Sequence, residues 1–90
     1  MISSDMQNLG ELAAAARRAA ESRVGHSLDA VVFIERYWSG SEAEATHPNG
    51  TLIKGRIARA TNGGFNGIQI TLDTADGYRI VPIANVFVWE

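Results

Sequence analysis

The chain has 90 residues, of which 46% are hydrophobic and 20% charged, and it contains no cysteine. This length allows one core and no second domain. The lack of cysteine excludes a disulfide scaffold, a cysteine-ligated zinc site and thiol catalysis. No apolar run exceeds five residues, far short of the ~20 that a membrane span needs, and the first residues lack the Lys or Arg of a secretory signal. We therefore expect a single cytoplasmic domain that needs no cofactor.

Charge is unevenly distributed along the chain. Residues 1–49 carry four basic and seven acidic side chains and residues 50–90 carry four and three, so the two parts have charges of −3 and +1. Neither part has the concentrated positive charge that usually drives nucleic-acid binding. Electrostatics alone therefore do not indicate DNA or RNA as a partner.

The first predicted element is a helix over residues 8–24. Alanine and leucine recur there at helical spacing, and Gly25 is a typical helix stop. Two capping boxes compete for its start, Ser4 with Gln7 and Asn8 with Glu11, and the later one is favoured by the glycine at position 10. Residues 1–7 are expected to be disordered.

Strands are predicted for the remainder of the chain, over 28–89. The segment Leu28–Trp38 is rich in β-branched and aromatic residues, which favours a buried strand, whereas residues 39–50 are small and polar and predict a loop. Alternating apolar residues and turn-forming glycines predict four more strands. These cover Leu52–Arg59, Ile68–Asp73, Tyr78–Pro82 and Val86–Trp89, with a one-turn connector before the last.

Closure of the sheet is the economical arrangement for five strands in so short a chain, because it removes exposed edges. Gly55 fits this arrangement, since a sharply bent strand needs a residue that allows bending or close approach. The predicted fold class is α+β, with an N-terminal helix followed by a five-stranded, strongly bent antiparallel barrel.

Short motifs between Gly50 and Val88 resemble those of the Sm-like branch of the SH3-like barrels. The stretch Gly50–Ile57 (GTLIKGRI) matches the Gly-x-x-apolar-x-Gly-x-apolar pattern of the first Sm motif. Phe65-Asn66 resembles the apolar-Asn pair of the loop that meets RNA bases in that family. Ile80–Val86 (IVPIANV) resembles the ending of Sm-like domains in ribosome maturation factors and small regulatory proteins. The resemblance implies an SH3-like (Sm-like) barrel, although Val81-Pro82 stands where RNA-binding Sm proteins have Arg-Gly.

Aromatic residues predict contact with another protein or self-association. Tyr37 with Trp38 and Phe87 with Trp89 are adjacent or alternating pairs, and strand alternation leaves at least one large ring exposed. The C-terminal segment Val86–Trp89 is expected to be an edge strand. Two orientations are open for it, one with Phe87 and Trp89 outward and the other with Trp89 in the core.

Single-stranded RNA is the alternative partner. Lys54 and Arg56 are expected on an outward strand face, and with Phe65 and Asn66 they would combine charge with a stacking ring.

Catalysis lacks a convergent set of residues. His26 and His47 are the only side chains suited to proton transfer near neutral pH, and neither has a triad-like arrangement of partners. The acidic pairs are better explained as solvated or turn-forming charge: Glu42 with Glu44, and Asp73 with Asp76. We therefore expect a non-catalytic binding module with a regulatory or accessory role and no metal.

Overall fold

The structure is a computed structural model that describes residues 5–89, with Asn66 described by its backbone alone. Within this range it contains two α-helices and six β-strands. In chain order these are β1 (Met6–Asn8), α1 (Leu9–Val24), α2 (Ala30–Trp38), β2 (Glu42–Thr46), β3 (Leu52–Asn62), β4 (Ile68–Thr74), β5 (Gly77–Pro82) and β6 (Val86–Trp89). Short 3-10 turns at Gly64–Asn66 and Ile83–Asn85 precede β4 and β6.

All six strands belong to one antiparallel sheet with the order β1-β6-β2-β3-β4-β5. The α+β class is confirmed, but the prediction of five strands is wrong. Among the described strands, β1 and β5 form the two edges and no pairing between them closes the sheet. The strand β6 has neighbours on both sides, so the prediction that the C-terminal strand is an edge is also wrong.

The long strand β3 connects two parts of the sheet. Its first five residues pair with β2, whereas its pairing with β4 runs from Gly55 to Asn62. The register with β4 shifts between Ile57 and Arg59, which leaves Ala58 as an extra residue. A bulge of this kind bends a strand and increases its twist, so β3 turns a corner of the sheet.

Helix α1 begins where the sequence favours it. The Asn8 side chain accepts a hydrogen bond from the Glu11 N–H at 3.1 Å, and its Nδ2 donates to the Ala84 carbonyl at 2.8 Å. Gly25 ends the helix with a φ of 80°, a backbone region that favours glycine. Of the segment 1–7, for which disorder is predicted, Met6 and Gln7 lie in β1 and residues 1–4 lie outside the described range.

The segment predicted as the strand Leu28–Trp38 is instead helix α2. Asp29 caps it by accepting a hydrogen bond from the Val32 N–H at 3.0 Å. Phe33 and Ile34 are buried and Trp38 packs against the core, at the spacing of one helix face. N-capping and this periodicity therefore outweigh the strand preference of the β-branched residues.

The loop predicted over residues 39–50 contains strand β2. Its two alanines, Ala43 and Ala45, are buried, while Glu42 and Glu44 point away from the core. A turn at residues 47–51 then leads into β3, closed by a hydrogen bond from the His47 N–H to the Thr51 carbonyl. Only part of the predicted loop is therefore irregular.

The core lies between the inner face of the sheet and the two helices. Within the described residues no polar or charged residue is buried. The core cluster consists of Leu9, Ala13, Ile34, Ala43, Ala45, Ile57, Ala60, Ile70, Leu72, Val81, Val86 and Val88. The opposite, solvent-facing side of the sheet is the outer face below.

Candidate binding surfaces

Three cations of β3 lie on the outer face, and the bulge places the third of them there. Lys54 and Arg56 precede it and point outward, and Ile57 points into the core at 1% exposure. After the extra residue Ala58, the alternation changes phase, so Arg59 is outward and paired with Thr71. Strict alternation in the sequence would put Arg59 on the side of Ile57, and sequence reasoning therefore missed it.

Carboxylates surround the first two of these cations. Arg56 Nη2 lies 3.4 Å from Glu42 Oε1, and Arg56 Nη1 donates to the Gly40 carbonyl at 3.2 Å. Glu44 is opposite Lys54 on β2, and Asp73 is opposite Arg56 on β4. Residues directly opposite on an antiparallel pair are close neighbours, so the positive charge here is offset locally.

Arg59 has different surroundings. It lines a shallow groove of about 430 Å³ across β3, β4 and β5, and within residues 5–89 it forms no ion pair. On β5, Tyr78 and Ile80 form the apolar side of this groove and are each 67% exposed. We name it the Arg59 groove; its lining residues are Ala58, Arg59, Thr71, Tyr78 and Ile80.

The apolar residues of the Arg59 groove were not singled out from the sequence, although a signal was present. In β5 the buried residue is Val81, whereas Tyr78 and Ile80 are at the alternate positions of the strand and face the other side of the sheet. Large apolar residues at both odd and even positions of a strand indicate that both of its faces are apolar. In an edge strand, one of those faces is open to solvent.

The edge of β5 is partly blocked by its own side chain. Arg79 Nη1 donates a hydrogen bond to the Tyr78 carbonyl at 3.0 Å. This contact occupies a backbone acceptor, and charged side chains on edge strands discourage pairing with another strand. The accessible feature of β5 is therefore its outer face.

The residues predicted for RNA binding are only partly brought together. Lys54 and Arg56 share the outer face at the start of β3, whereas Phe65 is fully exposed in the 3-10 turn beyond its end. The six residue-to-residue steps from Arg56 to Asn62 span about 20 Å of strand. The side chain of Asn66 lies outside the described part of the structure.

The residues predicted for a protein interface form two separate groups. On α2, Tyr37 is exposed and its ring contacts that of Phe33 in a tilted arrangement with centroids 4.7 Å apart, while Trp38 is half-buried. On β6 the valines point inward, Phe87 is half-buried and Trp89 is 46% exposed. Of the two orientations open for this strand, the structure has the one with the aromatic rings outward.

The residues considered for proton transfer or metal binding do not converge. His26 and His47 are both exposed and lie on different loops. In the part of the chain that the structure describes, no group of three or more His, Asp or Glu residues is placed to hold a metal ion. Neither α1 nor α2 is long and apolar enough to cross a membrane.

No family model, curated protein or solved structure matches this chain.

Proposed function

We propose that this chain is a non-catalytic binding module with a regulatory or accessory role, and that it contacts a partner protein through the Arg59 groove. The observation that carries the proposal is the combination of Tyr78 and Ile80, both mostly exposed, with an arginine that has no acidic partner in residues 5–89. Tyrosine and arginine are enriched among the residues that dominate binding energy at interfaces. Contiguous exposed apolar patches often mark interaction sites.

We also propose that the fold is of the SH3-like (Sm-like) barrel type, with the sheet left open between β1 and β5. Three features support it: the strand order β6-β2-β3-β4-β5, the bend at the β3 bulge, and the 3-10 turn before β6. Barrels of this size carry many functions on one framework. A bent sheet of this kind provides a rigid binding surface without determining its partner.

Affinity capture from cells of the source organism tests the proposed function. We expect the wild-type chain to retain a protein partner and the Ile80→Ser variant to lose it, with the affinity then measured by titration calorimetry. The matched control is Val32→Ser, which removes an equally exposed aliphatic side chain from α2 (64% against 67%). Equal retention by wild type and Ile80→Ser would contradict a protein-binding role for the groove.

Single-stranded RNA is the second candidate partner, favoured by one observation. Lys54, Arg56 and Arg59 lie along the outer face of one strand, and an exposed ring, Phe65, follows its end. Such a line combines phosphate contacts with a stacking platform. The carboxylates beside Lys54 and Arg56 weigh against it, because they repel phosphates.

Fluorescence anisotropy with a short labelled RNA at low and high salt tests the second candidate. If RNA binds, replacing both Lys54 and Arg56 by alanine reduces the salt dependence, because each phosphate contact releases counterions. The Phe65→Ala variant then loses about 1–3 kcal/mol of binding free energy through one unstacked base. Absence of binding by the wild type at low salt excludes this candidate.

A further inference from the structure

We infer that the Arg59 groove selects protein segments in which a carboxylate lies next to an aromatic or branched aliphatic side chain. This inference rests on the proposed function, because it names the chemistry of the partner that the same groove takes. It is carried by the charge, the exposure and the strand register of the lining residues.

Charge complementarity determines which charged group the partner must present. Arg59 is the only charged residue among the five that line the groove, and it has no ion pair within the described residues. A guanidinium is a rigid fork of donors that matches a carboxylate with two parallel hydrogen bonds. Apolar neighbours reduce the screening of such a contact by water. The groove therefore favours one negative charge.

The apolar neighbours of Arg59 determine which further side chain the partner must present. Tyr78 and Ile80 are two residues apart on the outer face of β5, and each exposes two thirds of its surface. The register puts Arg59 opposite Thr71 and Thr71 opposite Ile80, so Arg59 and Ile80 are two strand spacings apart, about 10 Å. A segment that contacts both must present its carboxylate and its apolar side chain within that distance, as neighbouring residues do.

The surroundings of the groove disfavour other occupants. A strand added to the edge of β5 would compete with the hydrogen bond that Arg79 makes to the Tyr78 carbonyl. A polyphosphate chain that extends from Arg59 along β3 would meet Asp73 and Glu42 around Arg56. Asp73 is opposite Tyr78 and lies two residues from Thr71 along β4. A single carboxylate at Arg59, with its apolar neighbour at Ile80, lies in the row of Thr71 and therefore stays away from both Asp73 and the edge of β5.

Selection from a random linear-peptide library displayed on phage tests the inference. We expect peptides enriched on the wild-type chain to carry Asp or Glu within two residues of an aromatic or branched aliphatic residue. The variant Arg59→Glu is expected to enrich Lys or Arg at that place. The control Arg18→Glu makes the same charge change at an exposed position of α1 and is expected to select the wild-type pattern. Because Arg59 is exposed, both variants are expected to fold, which circular dichroism checks.

Synthetic peptides from the selection give the affinities. We expect Arg59→Glu to weaken binding of the enriched acidic peptide tenfold or more, and the same loss when the peptide's acid is replaced by its amide. Enrichment without an acidic preference, or binding unaffected by Arg59→Glu but lost in Ile80→Ser, overturns the inference and leaves the proposed function standing.

The remaining outcomes exclude an acidic protein segment as the ligand of the Arg59 groove. No enrichment on the wild type contradicts both the inference and a peptide-binding function of the groove. Sedimentation of the free chain as a dimer that Arg59→Glu dissociates assigns the groove to a second copy. Binding of a labelled single-stranded RNA that Arg59→Glu abolishes, without peptide binding, assigns it to nucleic acid. Each of these results overturns the inference.

Discussion

Gly55 determines how closely β3 approaches β4. A Cβ at this position would lie 2.5 Å from the Asp73 carbonyl oxygen and 3.0 Å from Thr74 Cγ2. The first distance is shorter than atoms tolerate, and the carbonyl belongs to a paired strand that has little freedom to move. On the other side, Gly55 is opposite Ala43 of β2. The inner face of the sheet therefore has only small residues where β2 and β3 pair at Ala43 and Gly55. The glycine in the middle of β3 indicates this close approach already in the sequence.

The variant Gly55→Val is expected to destabilise the fold by about 1–3 kcal/mol, as overpacked core sites do. Urea unfolding followed by circular dichroism measures this loss. The matched control is Thr61→Val, which puts valine at an exposed position of the same strand and is expected to change stability little. An unchanged urea midpoint for Gly55→Val would show that β3 and β4 separate at no cost.

Helix α2 depends on local contacts at its start. The Asp29 carboxylate accepts the Val32 N–H, and the Phe33 N–H donates to the Asp29 carbonyl at 3.0 Å. Just before it, the Leu28 N–H donates to Glu21 Oε2 at 2.7 Å and the Leu28 carbonyl accepts from Arg17. The ion pair between Arg17 and Glu21 on α1 therefore holds the segment from which α2 begins.

The variant Asp29→Ala is expected to cost about 0.5–2 kcal/mol of stability, because an orphan N–H of the first turn loses its acceptor. Asp29→Asn keeps an oxygen acceptor and is expected to retain most of that free energy. Thermal unfolding of both variants measures the difference. Equal stability of Asp29→Ala and the wild type would indicate that tertiary packing alone maintains α2.

Elements whose local signals agree with one another were predictable from the sequence, whereas elements whose local signals conflict, or that depend on distant contacts, were not. Asn8 and Gly25 delimit α1 in the structure as they do in the sequence. Helix α2 was mistaken for a strand because β-branched residues hide the cap at Asp29. Strand β2 was mistaken for a loop because Ala and Glu have low strand propensity, although they alternate. The outward direction of Lys54 was predictable, but the Arg59 groove requires a bulge and the pairing of three strands.

At the scale of the whole molecule, β6 is held between two strands rather than exposed at an edge. Val88 is opposite Ala43 of β2 on one side and Gln7 of β1 on the other. Strand β1 therefore pairs with the side of β6 that was predicted from the sequence to be an unpaired edge. Trp89 is paired with Met6 at the end of this arrangement and keeps 46% of its surface exposed.

Trp89 is consequently expected to contribute more to association than to folding. The variant Trp89→Ala should lower the association state or the partner affinity, while its loss of unfolding free energy stays below the ~3–5 kcal/mol of a fully buried tryptophan. Equilibrium sedimentation and urea unfolding of the same samples separate the two effects. The control Val88→Ala shortens a fully buried side chain of the same strand and should lower stability without changing association. If Trp89→Ala keeps its sedimentation behaviour and partner affinity but unfolds as easily as Val88→Ala, then Trp89 supports the core and is no part of an interface.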